Sequence, residues 1–140
     1  MSKRQRFAYT QKKNNLGLTL YVPFLDLVWA RGHRFLEVTA LLDTGADVNV
    51  LPYDIGEQLG AVWSEQTTLL QLGGSLGQFP ARGLILIATL GEFPPVPLVF
   101  AWSQSNNVPL LLGHVNFFAE FNVCFYTSEL SFEISLKQTN

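Results

Sequence analysis

Apolar residues between Leu18 and Leu136 occur in short runs separated by turn-forming residues. The runs alternate with polar positions or are rich in β-branched and aromatic side chains, which is typical of strands. Glycine or proline follows several runs, and both residues end regular structure and form turns. The predicted strands are residues 18–29, 35–42, 48–51, 67–72, 78–90, 110–112, 121–126 and 130–136.

Helical signals are few. Residues 54–59 fit one or two helical turns ending before Gly60, and residues 114–120 fit a short helix near the C-terminal end. Residues 73–77, Gly-Gly-Ser-Leu-Gly, form the tip between two predicted strands. Many short strands with so little helix predict an all-β domain, folded as a closed barrel or a sandwich.

The composition of the 140-residue chain is unusually apolar, with 48% hydrophobic and 14% charged residues, where soluble domains carry roughly 25% charged residues. We expect one domain whose surplus apolar surface is covered by a second subunit, a ligand groove or both. Every apolar run is shorter than the ~18 residues of a membrane-spanning helix, and the first ten residues lack the apolar stretch of a secretion signal. These features predict a cytoplasmic protein without a membrane partner.

The net charge of −2 conceals an uneven distribution. Residues 1–13 contain five basic residues and no acid, which leaves four basic and eleven acidic residues in the remainder, a net charge of −7. A basic arm can bind nucleic acid, but this one lacks a repeated aromatic and basic pattern. We therefore expect residues 1–15 to be a disordered arm without a nucleic-acid partner, and residues 16–140 to be the folded domain.

The chain has one cysteine, Cys124, and two histidines, His33 and His114. These numbers exclude an internal disulfide framework and the ligand spacings of zinc sites. No metal and no cofactor are predicted, and Cys124, which stands between apolar neighbours, is expected to be buried.

Residues 41–47 read Leu-Leu-Asp-Thr-Gly-Ala-Asp and contain the most informative motif. A carboxylate, Asp43, follows a buried strand directly, on a turn where Gly45 can take backbone angles closed to other residues. Asp-Thr-Gly alone is an ordinary turn sequence. Here the glycine-rich tip follows it, and then residues 109–113, Pro-Leu-Leu-Leu-Gly, precede the second predicted helix.

In this order and spacing, the three features resemble the retropepsin-like aspartic proteases. Members of that family have an apolar-apolar-Asp-Thr-Gly-Ala loop, a glycine-rich flap, and an apolar-apolar-Gly strand followed by a helix. The resemblance covers roughly residues 18–136. It implies a retropepsin-like closed β-barrel or sandwich lobe, with a flap hairpin and one short helix near the C-terminus. The implied activity is that of an aspartic endopeptidase acting on extended peptides.

Aspartic proteolysis requires two adjacent carboxylates that share one proton, so that one activates water while the other protonates the carbonyl oxygen. Asp-Thr-Gly occurs once in this chain, since Asp26, Asp47 and Asp54 are not followed by Thr-Gly or Ser-Gly. One chain therefore cannot form the symmetric pair. A two-fold homodimer can form it, with Asp43 from each subunit.

The resemblance also implies roles for individual residues. Thr44 would hold the two active loops together across the dimer, and the Gly45 amide would brace the Asp43 carboxylate. The implied peptide-binding residues are Ala46, Asp47, Val48, the flap residues Gly73, Gly74 and Ser75, and the pocket residues Val108, Pro109 and Leu111. The implied structural residues are Leu112, Gly113 and His114.

Two positions depart from the family pattern. His114 stands where many relatives have an arginine that pairs with the acid at the position of Asp47. Because histidine is charged only part of the time near neutral pH, this brace is expected to be weaker, pH-dependent or replaced. Val48 stands where retroviral members often have a second acid, which predicts a less polar rim of the cleft.

Two other functions fit parts of the sequence. Residues 73–77 match Gly-x-Ser-x-Gly, which would make Ser75 the nucleophile of a serine hydrolase, with His114 as a base. That motif requires a strand, a sharp elbow and a helix within an α/β sheet. A retropepsin fold can also be a dimerisation or peptide-binding module. The intact Asp-Thr-Gly favours the protease, because a scaffold does not need an acid at its two-fold axis.

Overall fold

The computed structural model describes residues 3–137, which form twelve strands, two α-helices and three short 3-10 helices. The strands are β1 (Arg4–Ala8), β2 (Thr10–Lys13), β3 (Thr19–Val22), β4 (Phe24–Arg31), β5 (Arg34–Leu42), β6 (Asn49–Leu51), β7 (Leu69–Leu70), β8 (Ala81–Thr89), β9 (Val96–Ser103), β10 (Leu111–Leu112), β11 (Phe121–Tyr126) and β12 (Ser131–Leu136). The helices are α1 (Tyr53–Gln58) and α2 (Phe117–Glu120), and the 3-10 helices are Trp63–Glu65, Gly74–Gln78 and Thr127–Glu129. None of the helices in this described part is long and apolar enough to cross a membrane.

A seven-stranded sheet in the order β4-β5-β10-β6-β9-β8-β7 forms the body of the fold. β4 pairs with β5 along its whole length and also with β8, so six strands close into a barrel, and β7 lies outside on β8. Large side chains fill the core, among them Trp29, Leu86 and Phe100, which are fully buried. The predicted all-β closed fold with little helix is confirmed.

Two parallel strand pairs interrupt the antiparallel pattern of this sheet. β5 runs parallel to β10, with Leu41 beside Leu111 and Leu42 beside Leu112, and β6 runs parallel to β9. Parallel neighbours end at the same edge of a sheet. The chain therefore leaves β5 and β10 side by side, which brings residues 43–48 close to residues 113–116.

α1 packs on β9 through aromatic side chains. The Tyr53 ring stacks on Trp102 with the ring centroids 5.4 Å apart, and the Trp102 indole N–H donates to the Tyr53 backbone oxygen at 3.0 Å. Gly56 is required because a Cβ at this position would collide with the Trp102 indole. The helix predicted at residues 54–59 is present and shifted by one residue, and Gly60 follows it with a φ of +80°.

The chain ends form a separate three-stranded sheet in the order β1-β12-β11. The prediction that residues 1–15 are a disordered arm is wrong for the described part of that segment. β1 pairs with β12 through five residue pairs, and β2 forms a hairpin with β3. Met1 and Ser2, which also belong to the predicted arm, lie outside the described residues.

The prediction was wrong because the basic residues of this segment suggested a solvated arm, although its residues alternate as in a strand. Gln5 and Phe7 are half-buried while their neighbours in β1 are exposed, which is the alternation of a strand. Phe7 stacks on the buried Phe132 with the ring centroids 5.5 Å apart. On the other face, the Arg6 guanidinium lies 3.5 Å from a carboxylate oxygen of Glu133 and donates to the hydroxyl of Ser131.

Cys124 is exposed, whereas the sequence predicted a buried side chain. Val123 and Phe125, its neighbours in β11, pack against the core. Because successive side chains in a strand point to opposite faces, Cys124 points outward. The prediction was wrong because apolar neighbours in a strand lie on the opposite face from the residue between them.

We expect Phe7→Ala to lower the free energy of unfolding by about 2 kcal/mol, because it removes a half-buried ring that packs on Phe132. Urea unfolding followed by fluorescence measures this change. Gln11→Ala, on the fully exposed strand β2, is the control and should change stability by less than ~0.5 kcal/mol. Equal stability of Phe7→Ala and the wild type would show that β1 does not contribute to the folded core.

Candidate active site

Asp43 is the first residue after β5, and backbone hydrogen bonds fix it on both sides. Its N–H donates to the Leu112 oxygen at 3.0 Å, and its carbonyl oxygen accepts from the Ala46 N–H at 3.1 Å. The carboxylate is half-buried, and its Oδ1 accepts the Gly45 N–H at 2.9 Å. A Cβ at position 45 would lie only 3.3 Å from Oδ1, so glycine permits this close approach.

The loop after β10 is bonded to the loop that contains Asp43. The N–H of His114 donates to the Ala46 oxygen at 3.0 Å, and the next N–H along the chain donates to the Asp47 oxygen at 2.8 Å. Gly113 is buried at the contact, where a Cβ would lie 2.5 Å from the Ala46 oxygen. No larger residue fits there without moving the backbone.

These bonds explain why the second helix is shorter than predicted. The sequence predicted a helix over residues 114–120, whereas α2 begins at Phe117. Val115 forms a parallel bridge with Val48, and its carbonyl oxygen, which a helix would bond to the N–H of residue 119, accepts the Asn49 N–H at 2.9 Å. The start of the predicted helix is therefore used to hold the two loops together.

The side chain of His114 contacts the same loop. Its Nε2 lies 2.7 Å from the Thr44 backbone oxygen, and its ring lies against Phe118 with the centroids 5.4 Å apart. The ion pairs within residues 3–137 do not include one between His114 and Asp47. The brace expected from the family pattern is thus replaced by a hydrogen bond to the backbone of Thr44.

Asn49 is a fully buried polar residue that connects three segments. Its Oδ1 accepts the Gly113 N–H at 2.8 Å, and its Nδ2 donates to the Val99 oxygen at 2.9 Å and to Oδ1 of Asn116 at 3.3 Å. Asn116 Oδ1 also accepts the Val99 N–H at 2.8 Å. Sequence reasoning missed this pair, although an amide inside a short buried strand indicates a required hydrogen bond.

A cavity of about 430 Å³ opens beside Asp43. The loop after β5 contributes Asp43, Gly45, Ala46 and Asp47 to its lining. The other lining residues are Val48, Val50, Gln71, Leu72, Gly73, Leu76 and Leu111. The cavity thus combines two carboxylates with apolar side chains, and its volume is in the range of sites for small ligands or a few side chains of a peptide.

The glycine-rich segment lines this cavity but differs from the predicted hairpin. β7 is only two residues long, and Gly74–Gln78 is a 3-10 helix rather than the tip of two long strands. The Gln71 side-chain amide donates to the oxygens of Leu72 and Gly77, both at 3.3 Å. These bonds fold the segment back on itself, which the strand pattern alone did not indicate.

The structure brings together at the cavity seven of the residues that the sequence singled out. These are Asp43, Gly45, Ala46, Asp47, Val48, Gly73 and Leu111. Five others do not line it: Thr44, Gly74, Ser75, Val108 and Pro109. Val108 is buried in a neighbouring apolar cluster, while Pro109 is exposed. Leu112 and Gly113 are buried where β10 meets the loop after β5.

Four lining residues were missed by sequence reasoning: Val50, Gln71, Leu72 and Leu76. Val50 had a usable signal, because residues two apart in a strand share a face and Val48 was already a candidate. Gln71 and Leu72 lie in the predicted strand 67–72, of which only Leu69–Leu70 is a strand in the structure. Leu76 lies in the glycine-rich tip.

Ser75 lacks the local structure of a serine-hydrolase nucleophile. It is exposed within the 3-10 helix Gly74–Gln78, and the chain continues from there into β8. The Nε2 of His114 is bound at the Thr44 oxygen. The strand, elbow and helix that the motif requires do not occur at this place.

The barrel and the loops at the ends of β5 and β10 define a single-lobe fold of the aspartic protease type. The sequence matches no protein-family model and no curated protein. Among solved structures, the chain is similar to a retropepsin-like aspartic protease from Rickettsia conorii, with a TM-score of 0.58 and 12% sequence identity. The similarity covers 97% of this chain and 94% of that chain. The chain therefore has the retropepsin-like fold that the sequence motifs implied.

We expect Asn49→Ala to lower the free energy of unfolding by about 2–4 kcal/mol, because it leaves the buried Gly113 N–H and Val99 oxygen without their partner. Chemical denaturation measures the loss, and the exposed Asn107→Ala is the matched control. Equal stability of the two variants would contradict the role given to the Asn49 amide.

Proposed function

We propose that this chain is an aspartic endopeptidase that cleaves extended peptides with water activated between two Asp43 carboxylates, one from each subunit of a homodimer. The observation that carries the proposal is the placement of Asp43. Its half-buried carboxylate is held by the Gly45 N–H at the wall of a largely apolar cavity. The similar solved structure is also described as an aspartic protease, which supports the same reaction here.

The chemistry explains why two copies of Asp43 are needed. Amide hydrolysis requires a base for the attacking water and an acid for the carbonyl oxygen at the same time. Two carboxylates that share one proton supply both. The water oxygen bonds to the carbonyl carbon without a covalent enzyme intermediate, and the C–N bond breaks as the leaving nitrogen takes up a proton. In the proposed dimer, the exposed Thr44 of each chain contacts the loop of the other.

The cavity lining suggests how the peptide binds. Val48, Val50 and Leu111 favour apolar side chains next to the cleaved bond. Asp47 is exposed at the same cavity and hydrogen-bonds the peptide backbone. Gly73, Gly74 and Ser75 belong to the segment that closes over the peptide and excludes water. The peptide binds as an extended strand, so its main chain supplies affinity and its side chains supply specificity.

We expect Asp43→Asn to reduce peptide hydrolysis by at least about 10³-fold, because an amide can neither accept the water proton nor share a proton with a second carboxylate. Digestion of a peptide library, analysed by mass spectrometry with and without a pepstatin-type inhibitor, measures this loss. Asp54→Asn is the control, since Asp54 is an exposed acid at the start of α1 and should retain activity.

Equal cleavage by the wild type and Asp43→Asn would refute the aspartic protease. A wild type that cleaves nothing from acidic to neutral pH, but still binds peptides, would instead identify a peptide-binding module. A serine hydrolase would be indicated if a fluorophosphonate probe labels the wild type and if Ser75→Ala loses both the labelling and the activity.

A mixing experiment tests the shared site. We expect excess Asp43→Asn protein to inhibit the wild type, because subunit exchange produces heterodimers with one carboxylate. The activity per subunit should also decrease on dilution, because the dimer dissociates into monomers. Sedimentation measures the monomer fraction at each concentration. Wild-type activity that is unaffected by the variant and independent of concentration would show that one chain is sufficient.

A further inference from the structure

The β2–β3 hairpin stands apart from the rest of the fold. It forms a two-stranded sheet of its own. Every residue of β2 is exposed, and so are three of the four residues of β3. A two-stranded hairpin alone is at best marginally stable in water. An external surface that covers this hairpin would stabilise it.

The end of the hairpin exposes four large apolar side chains beside the polar Asn15 and Thr19. The exposed fractions are 83% for Leu16, 58% for Leu18, 44% for Leu20 and 45% for Tyr21. In the register of the hairpin, Leu20 pairs with Lys12 and Tyr21 pairs with Gln11, so the two side chains project from opposite faces. Because Lys12 lies beside Leu20, a medium that receives the Leu16–Leu18 tip meets exposed leucines first and a lysine behind them.

Four of the five backbone N–H groups of the tip, residues 14–18, are hydrogen-bonded within the hairpin. The side-chain Oδ1 of Asn14 accepts the N–H groups of Leu16 and Leu18, at 2.9 and 3.0 Å. The Asn14 backbone oxygen accepts the Gly17 N–H, and its N–H donates to the Leu18 oxygen, both at 3.0 Å. Polar backbone groups that leave water for an apolar medium need such partners. The tip can therefore leave water without losing these bonds.

The charge at the base of the tip is basic. Lys12 and Lys13 precede the tip directly, and no acidic residue occurs before Asp26. The ion pairs within residues 3–137 involve Lys3 and Arg6 but neither of these lysines. Lysines beside exposed leucines are the composition of segments that lie at the surface of anionic membranes.

We propose that the β2–β3 hairpin is a peripheral membrane contact, in which the Leu16–Leu18 tip enters the headgroup region of an anionic bilayer while Lys12 and Lys13 bind lipid phosphates. This contact needs no spanning helix, and none of the helices within residues 3–137 could be one. It replaces the expectation from the sequence that the protein has no membrane partner. It is also independent of the proposed peptide hydrolysis. Its consequence is that the protein concentrates at the membrane surface with the hairpin as its anchor.

Co-sedimentation of the full chain with lipid vesicles tests this proposal. The wild type should bind phosphatidylserine-containing vesicles, bind pure phosphatidylcholine vesicles much more weakly, and lose binding as salt is added. The double variant Leu16→Ser/Leu18→Ser should partition at least about tenfold more weakly. Lys12→Gln/Lys13→Gln should remove the preference for phosphatidylserine.

The matched control is Phe35→Ser, which changes a 75% exposed apolar side chain on the β4–β5 hairpin and should bind as the wild type does. Circular dichroism verifies that each variant is folded. Leu16→Trp adds a direct readout, because brominated lipids should quench an indole at the tip while the buried Trp29 and Trp102 stay unquenched.

Three outcomes would overturn the proposal. The first is that the wild type binds neither vesicle, or both equally. The second is that the double leucine variant binds as well as the wild type. The third is that the leucine variants lower the mass measured by sedimentation in the absence of lipid, which would make the hairpin a contact with a second copy of the chain.

Discussion

The parallel pairing of β5 with β10 determines where the candidate site forms. Leu41 lies beside Leu111 and Leu42 beside Leu112, so the chain leaves both strands at one edge and in the same direction. The acid-bearing loop and the Gly113 loop then meet closely enough for backbone bonds, such as that from the His114 N–H to the Ala46 oxygen. Only glycine fits at position 113 because the approach is so close. The position of Asp43 thus follows from the register of two strands rather than from its own contacts alone.

The two sides of the cavity are held with different strength. Several backbone bonds and the buried Asn49 amide fix the side with Asp43. On the glycine-rich side, Leu72 is buried and the Gly83 N–H donates to the Thr68 oxygen at 2.9 Å, but residues 73–75 are exposed. The bonds beside them are two of 3.3 Å from the exposed Gln71. Exposed segments with few bonds open at lower free-energy cost. In the proposed reaction, the acid therefore stays in place while residues 73–75 move to admit a peptide.

The sequence predicted most of the barrel strands, because alternation and turn residues such as Gly32 and Pro52 are local signals. It missed β9, which lies between β6 and β8 in the sheet, because prolines at and before its start indicated a loop or an edge. The retropepsin-like fold was predicted from the resemblance of three ordered motifs to that family, and two of the motifs lie on the paired loops after β5 and β10. β1 was missed because its partner is far away in the sequence and its basic residues suggested disorder. The 3-10 conformation of Gly74–Gln78 was missed because glycine has little local preference. The interactions of Asn49 and Asn116 depend on strands brought together only by the fold.

The β1-β12-β11 sheet joins the first and the last of the described strands, which affects the order of folding during synthesis. Arg6 bonds to Ser131, 125 residues further along the chain, and among the described strands β1 is made first and β12 last. Contacts between such distant residues form slowly, since the chain between them must first be ordered. On the ribosome, β1 stays unpaired with Phe7 uncovered until β12 has emerged, while the barrel strands are already available to fold. Completion of this sheet therefore waits for β12, and until then the barrel is the part of the fold that can form.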